Sequence, residues 1–412
     1  MPASSRLRVF LVVFSSAGVV SSACGNLIIP SNSNPDEDAG GGSENGNELD
    51  DGSADALPPP NCDAGVFPVA LACTGLYSDW GKLTLAPDVT GYSLDPRVQL
   101  WVDGATEREW VWLPPGQKVT TTDLNNWVFP NGTKFWEELS LLGARVETRF
   151  LWKMSNGDWF RTTYVWNVDQ TAAPELVTGT PNAFGLPYDI PSVSQCDQCH
   201  LGTADYPLGF EIVGLAMGGS GGLNLQALEQ QNLLSNAPAV TPSLPGSDGT
   251  IVDDAGVMGS ALAYLHSNCG TSCHNRSVDA NAGQTGLFTK LTVGPNGALP
   301  SVEQTDTWLT AYDVPSSYTP SGYDAGGFWR LHPGDAAHST IPWMASRRNS
   351  SAQMPPIDTE LPDENEVSYL DTWTDELPQG VTAGAPAGSG SSSSSGAQGE
   401  PSDAGAGPSD AP

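Results

Sequence analysis

Two cysteine pairs in this chain each run directly into a histidine: Cys196-Asp197-Gln198-Cys199-His200 and Cys269-Gly270-Thr271-Ser272-Cys273-His274. Each requires a short, folded peptide that presents two thiols and an imidazole to one place. C-x-x-C-H is the spacing that attaches c-type haem. Two thiols on one turn reach the two vinyl groups on one edge of a rigid porphyrin, and the histidine that follows comes to lie beneath the iron. A structural zinc site needs four ligands and no histidine at that offset. The competing readings are a pair of short-loop disulfides, or one zinc held by all four thiols, and both leave His200 without a purpose. The second pair encloses three residues instead of two, which widens its loop. Gly270, tolerant of dihedrals that other residues avoid, is where the extra backbone is expected to be absorbed. The expectation is two covalent haems c, attached through Cys196, Cys199, Cys269 and Cys273, with His200 and His274 as iron ligands.

The start of the chain reads as an export signal. Arg6 and Arg8 precede a mostly apolar run from Val9 to Val20, about a dozen residues and too short to span a bilayer. Ser21-Ser22-Ala23 and then Cys24 follow, an order that resembles a bacterial lipoprotein signal in which Cys24 is lipidated and anchors the chain to a membrane. Ser21 stands where such signals usually have Leu, and Gly25 rather than Asp follows, so retention in the inner membrane is not signalled. An ordinary cleaved signal with a spare cysteine is the alternative. Of seven cysteines, only Cys62 and Cys73 are then left, and outside the reducing cytoplasm they are expected to pair as a disulfide. Haem c is attached on that same side of the membrane, so the two inferences agree on the cell envelope.

Composition divides the rest. Residues 24–63 form an acidic linker, with no basic residue between Arg8 and Lys82; residues 379–412 are a Gly/Ser/Ala/Pro tail that includes Ser391 to Ser395. Residues 64–185 read as a β-rich module. It holds nine of the thirteen tryptophans, and turn signals recur through it, such as Ser155-Asn156-Gly157 between Arg145–Lys153 and Asp158–Trp166. Trp110-Val111-Trp112-Leu113 and Trp127-Val128-Phe129 are further strand candidates, each ended by Pro and Gly. The tryptophans either fill a sandwich core or line a ligand groove. Residues 186–250 carry the first motif and 251–378 the second. Helices are expected over Leu223–Leu234, over Val257–His266 leading into Cys269, and over Asp363–Leu377, where Asp363 and Glu366 have capping-box spacing. The fold class is α+β multidomain: an N-terminal antiparallel β-sandwich-like module, then a mainly α-helical haem region. The net charge of −31 excludes nucleic acid as a partner, since phosphate binding needs Lys and Arg clusters.

Iron in an electron carrier is usually held on both faces, and methionine opposite histidine raises its potential. Met354, in Gln353-Met354-Pro355-Pro356, is the expected distal ligand of the second haem. For the first, Met217 is the nearest candidate, with Met258, His332, His338 or an open site as alternatives. Arg347 and Arg348 either pair with haem propionates or are solvated charges.

Ala261-Leu262-Ala263-Tyr264-Leu265-His266-Ser267-Asn268-Cys269, then Cys273-His274-Asn275, is similar to the attachment segment of bacterial class I cytochrome c domains. Pro333-Gly334-Asp335, Ser346-Arg347 and Met354-Pro355-Pro356 look like the distal side of the same domain, which makes 251–378 cytochrome c-like. Leu76-Tyr77-Ser78-Asp79, Trp112-Leu113-Pro114-Pro115-Gly116 and Tyr164-Val165-Trp166-Asn167 resemble a family of di-haem c-type cytochromes with a β-rich N-terminal module. The resemblance covers residues 75–378. It implies thioethers at the four motif cysteines, proximal His200 and His274, and distal Met354. The function expected is an exported, lipid-anchored carrier of single electrons rather than an enzyme, served by a redox partner protein in the envelope. The alternatives are a Trp-rich carbohydrate- or ligand-binding module with a haem appendage, and a di-haem peroxidase-like enzyme with one open iron.

Overall fold

A computed structural model describes residues 62, 67–94, 99–216, 221–244, 256–323 and 327–380. The expected export signal, Cys24, Met217 and residues 381–412 of the tail lie outside them, as does the 24–63 linker apart from Cys62.

The chain opens with a short antiparallel ribbon, β1 (Tyr77–Asp79) and β2 (Thr84–Leu85), and one helical turn, α1 (Pro87–Thr90). A four-stranded antiparallel meander follows: β3 (Thr106–Trp112), β4 (Lys134–Leu141), β5 (Ala144–Lys153) and β6 (Trp159–Val165), in sheet order β3-β4-β5-β6. Period-two alternation gives this sheet two unlike faces. Trp110, Trp136, Phe150 and Tyr164 point one way and pack with Leu71, Leu76, Val89 and Trp166 into an apolar core. The opposite face carries Glu107, Glu109, Glu137, Glu147, Arg149 and Arg161. The strand register sets Glu109 directly across from Glu137, Glu137 across from Arg149, and Leu151 across from Arg161. Charge therefore concentrates in the middle row of this face, with Glu107 and Glu147 in the row on one side and Arg161 in the row on the other.

The β-sandwich is finer than what is found. The described residues contain the meander and the two-stranded ribbon, and the meander is covered by short helices and loops rather than by a second sheet of its own size. Trp127-Val128-Phe129 makes one isolated bridge, Val128 to Thr120, instead of a strand, because Pro130-Asn131-Gly132 turns the chain at once. The tryptophans are largely core: Trp110, Trp127, Trp136, Trp159 and Trp166 are all buried.

The second half is also less helical than expected. Its helices are α2 (Val193–His200), α3 (Ile212–Ala216), α4 (Leu225–Gln230), α5 (Gly256–Tyr264), α6 (Asp306–Ala311), α7 (Thr340–Ala345) and α8 (Glu364–Glu376), most of them a turn or two joined by long loops. With 34 prolines and 46 glycines in the chain, helical runs are cut short. Leu223–Leu234 shrinks to the six residues of α4, started by the Asn224 side chain accepting from the Ala227 N–H. The last helix matches its expected span. Asp363 Oδ1 accepts from the Glu366 N–H at 3.2 Å, but the return half of the capping box is not made, as Glu366 Oε2 has no partner. Val367, Leu370 and Trp373 are buried along one side of α8, against α5, whose Ala261, Leu262, Ala263 and Tyr264 are all buried. One apolar cluster joins Val111, Phe135 and Trp159 of the sheet to Phe210 and Val213, to Leu262 and Leu265, and to Leu370 and Trp373. It crosses both expected boundaries, at 185/186 and 250/251.

Candidate functional site

The first motif is built on α2. Its N-terminus carries a complete capping box: the Ser192 hydroxyl accepts from the Gln195 N–H, and the Gln195 side chain accepts from the Ser192 N–H at 2.9 Å. Helical spacing then puts Cys196, Cys199 and His200 on one face, at i, i+3 and i+4. His200 Nδ1 lies 2.9 Å from the Tyr206 carbonyl oxygen and donates to it, which leaves the Nε2 lone pair free. The Tyr206 ring stacks on the imidazole at 4.8 Å, and its hydroxyl donates to Asp197 Oδ1 at 2.8 Å. Tyr206 does this at φ 75°, a region that costs a side-chain-bearing residue about 1–3 kcal/mol. Arg161 of β6 pairs with Asp197 from the sheet side. Burial pushes His200 down to about 4, so the ring is neutral.

The second motif leaves α5 through a widened turn, Leu265–Gly270. The Thr271 N–H donates to the His266 carbonyl and the His274 N–H to the Cys269 carbonyl, both at 2.8 Å and both spanning five residues. This π-type winding takes up the extra residue between Cys269 and Cys273. The role expected of Gly270 is thereby corrected. Its φ is not positive, and what its missing side chain permits is close approach, since a Cβ there would stand 2.3 Å from the Lys290 nitrogen. His274 Nδ1 faces the Leu287 carbonyl at 3.3 Å, repeating the His200 arrangement, and burial lowers its pKa too. His266 is fully buried and serves the framework: Nδ1 accepts from the Leu291 N–H at 2.9 Å and Nε2 donates to Glu211 at 3.1 Å.

Both motifs open on one cavity of about 420 Å³, in the size range of cofactor pockets. Cys196, Cys199, Cys269, Cys273, His200 and His274 all line it, together with Met354 and the charged face of the sheet at Glu109, Glu137, Arg149 and Arg161. The four thiols are unbonded, so neither pair closes as a short-loop disulfide. Among the described residues no three His, Cys, Asp or Glu side chains converge as a metal cluster. Burial pushes the Cys196 thiol up to about 11 and that of Cys269 up to about 12. Cys199 and Cys273, one from each motif, shift each other, the Cys199 thiol upward and the Cys273 thiol downward.

Of the distal candidates, Met354 lines the cavity, while Met258, on α5, packs against the apolar core. His332 and His338 lie instead on a separate surface pocket, where His332 stacks on Trp329 at 4.0 Å and His338 Nδ1 pairs with Asp335 at 2.7 Å. Arg347 lies over the Trp343 ring at 4.6 Å. Arg348 Nη1 donates to the Met354 carbonyl at 3.2 Å, while its Nε and Nη2 are buried without partners. Cys62 and Cys73 form a disulfide with Cα atoms 5.3 Å apart.

Sequence reasoning missed the acidic wall. Glu109 is pushed up to about 8, first by burial and then by Glu137 opposite; Asp358, paired with Arg149 at 3.3 Å, is pushed up to about 7 by burial. Charged residues two apart in otherwise apolar strands (Glu107 and Glu109, Glu147 and Arg149) were the signal. It was also possible to read Ser192-x-x-Gln195 as a helix start.

The cavity thus holds two neutral imidazoles with Nε2 free, two pairs of alkylatable thiols and one thioether. Buried guanidinium N–H groups without partners lie at Arg149 Nε and Arg161 Nε on its wall, and at Arg348 beside the Met354 loop. No protein-family model, curated protein or solved structure matches the chain.

Proposed function

We propose that the chain is an exported di-haem c-type cytochrome, anchored through lipid on Cys24, that carries single electrons between protein partners in the cell envelope and binds no nucleic acid. One observation carries this reading: both cysteine pairs and both following histidines line a single cavity, each histidine held to a backbone carbonyl through Nδ1. Iron-ligating histidines are usually oriented in that way.

Cys196 with Cys199, and Cys269 with Cys273, would each hold one haem by thioethers. His200 and His274 would be proximal ligands and Met354 the distal ligand of one iron. Bound there, the group supplies a one-electron couple. The protein orients it, keeps water from it and sets its potential. The partnerless N–H groups of Arg149, Arg161 and Arg348 are donors suited to propionates, which would otherwise be unpaired acids. The packing of α5 on α8, with the second motif at the end of α5, is the element pairing that a class I cytochrome c-like domain over 251–378 requires. Burial of the tryptophans disfavours the ligand-binding alternative.

The test is a pyridine haemochrome assay, with intact mass, on protein matured in a periplasm. Two covalent haems per chain are expected. Colourless protein carrying no added macrocycle overturns the reading.

A further inference from the structure

Gly202, two residues past His200, lies so close to the second motif that a Cβ on it would stand 1.7 Å from the Ser272 carbonyl oxygen. Backbone meets backbone here with no side chain between. The buried Asn275 amide, one residue past His274, ties the two together: Nδ2 donates to the Gly202 carbonyl at 3.2 Å, and to those of Gly270 at 2.8 Å and Thr271 at 3.2 Å. A second tie is Asn281 Nδ2, which donates to the Gln198 carbonyl inside the first motif at 2.5 Å. The Cys273 thiol faces that same carbonyl, which belongs to the residue before Cys199, at 3.9 Å. Two attachment sequences distant in the chain are therefore clamped to each other, with the second thiol of one lying against the backbone beside the second cysteine of the other.

We propose, resting on the function above, that Gly202 and Asn275 are positioning residues that hold the two haems as an electronically coupled contact pair. A thioether sulfur would be bonded to the rim of its own macrocycle, so attachment sequences clamped this closely would hold the two rims near each other. Electronic coupling falls exponentially with the gap between conjugated systems, and the clamp would keep that gap short. One electron passing across it oxidises one iron from ferrous to ferric and reduces the other from ferric to ferrous. No proton or ligand changes hands. Charge on either centre would be felt by the other through a poorly screening interior, so the potential of each would depend on the state of its neighbour.

Circular dichroism in the Soret band and electron paramagnetic resonance read this coupling without any turnover assay. In wild-type holoprotein with two haems counted, the pair gives a Soret couplet of opposite signs. The fully oxidised iron signals are broadened by their neighbour and sharpen when one centre is reduced. The single-haem variants Cys196→Ala/Cys199→Ala and Cys269→Ala/Cys273→Ala each give a band of one sign, and their sum fails to reproduce the wild type. Gly202→Ala forces the motifs apart, and loss of the couplet at an unchanged haem count is expected. Two haems whose spectra are the plain sum of the single-haem variants, with unbroadened signals, overturn the contact pair and leave the cytochrome reading standing. A haem count of zero overturns the cytochrome reading itself. If a variant does not accumulate, the wild-type resonance spectrum decides alone: broadened signals support the pair, and unbroadened ones overturn it.

Discussion

Glu109 and Glu137 face one another directly across β3 and β4, with Arg149 next in the row on β5. Like charges opposite each other destabilise a strand pair, and burial here denies them water. The result is a Glu109 carboxyl held protonated up to about 8. A folded pKa above the unfolded one means that the native chain keeps a proton the unfolded chain has released. That contribution is complete below the unfolded carboxylate range and is lost as pH rises through 8. Wild-type stability is thus expected to fall between pH 5 and pH 8, by on the order of 1 kcal/mol per pH unit. Glu109→Gln, which cannot ionise, flattens the slope; urea midpoints at the two pH values measure it, and equal slopes in both proteins refute the assignment. Met354 gives a second residue-scale prediction. Methionine opposite histidine holds a haem potential high, so in the proposed di-haem protein Met354→His is expected to lower one of the two midpoint potentials in a potentiometric titration and leave the other in place.

At the scale of elements, α2 depends on its ends, because none of its residues is fully buried. A helix with no buried stripe has little tertiary packing to sustain it, and the Ser192–Gln195 capping box becomes a large share of what sets it. Ser192→Ala is expected to cost about 1 kcal/mol, read from the urea midpoint, and to lower the yield of haem on Cys196 and Cys199, read by peptide mass mapping. The other attachment element is sensitive elsewhere. The π-type turn holds Gly270 against the Thr289–Lys290 backbone, where the nearest atoms cannot step aside as a side-chain end can. Gly270→Ala is expected to destabilise by about 1–3 kcal/mol as an overpacking change. A neutral result by denaturation would show that the turn can unwind to ordinary α-geometry.

At the scale of the described residues as a whole, the β-rich module and the two cysteine–histidine segments share one apolar core, and a buried ion pair fastens them. Lys153 at the end of β5 donates to both oxygens of Asp205, at 2.7 and 2.6 Å, and to the Phe129 carbonyl at 3.0 Å. Asp205, just past the first motif, also accepts from the Phe129 N–H at 2.6 Å and from Trp159 Nε1 at 3.1 Å. Removing one partner strands the other charge in a dry interior. Asp205→Asn is expected to cost about 3–5 kcal/mol, with Lys153→Met in the same chain recovering part of it. Circular dichroism melts of the three proteins test this. A single variant as stable as wild type would mean that Lys153 reaches water in solution.

What the sequence determined by itself was local. The two cysteine–histidine motifs, the hairpin at Ser155-Asn156-Gly157 and the extent of α8 all rest on neighbours within a turn or two, and such short-range chemistry is written in consecutive residues. Tertiary structure decided what depends on distant segments meeting. The sequence gives no hint that Gly202 abuts Ser272, that His332 and His338 lie away from the cavity, or that one face of a tryptophan-rich sheet turns a row of carboxylates toward it. Strand alternation says which residues share a face, but what that face meets is chosen by the packing of loops and helices brought in from far along the chain.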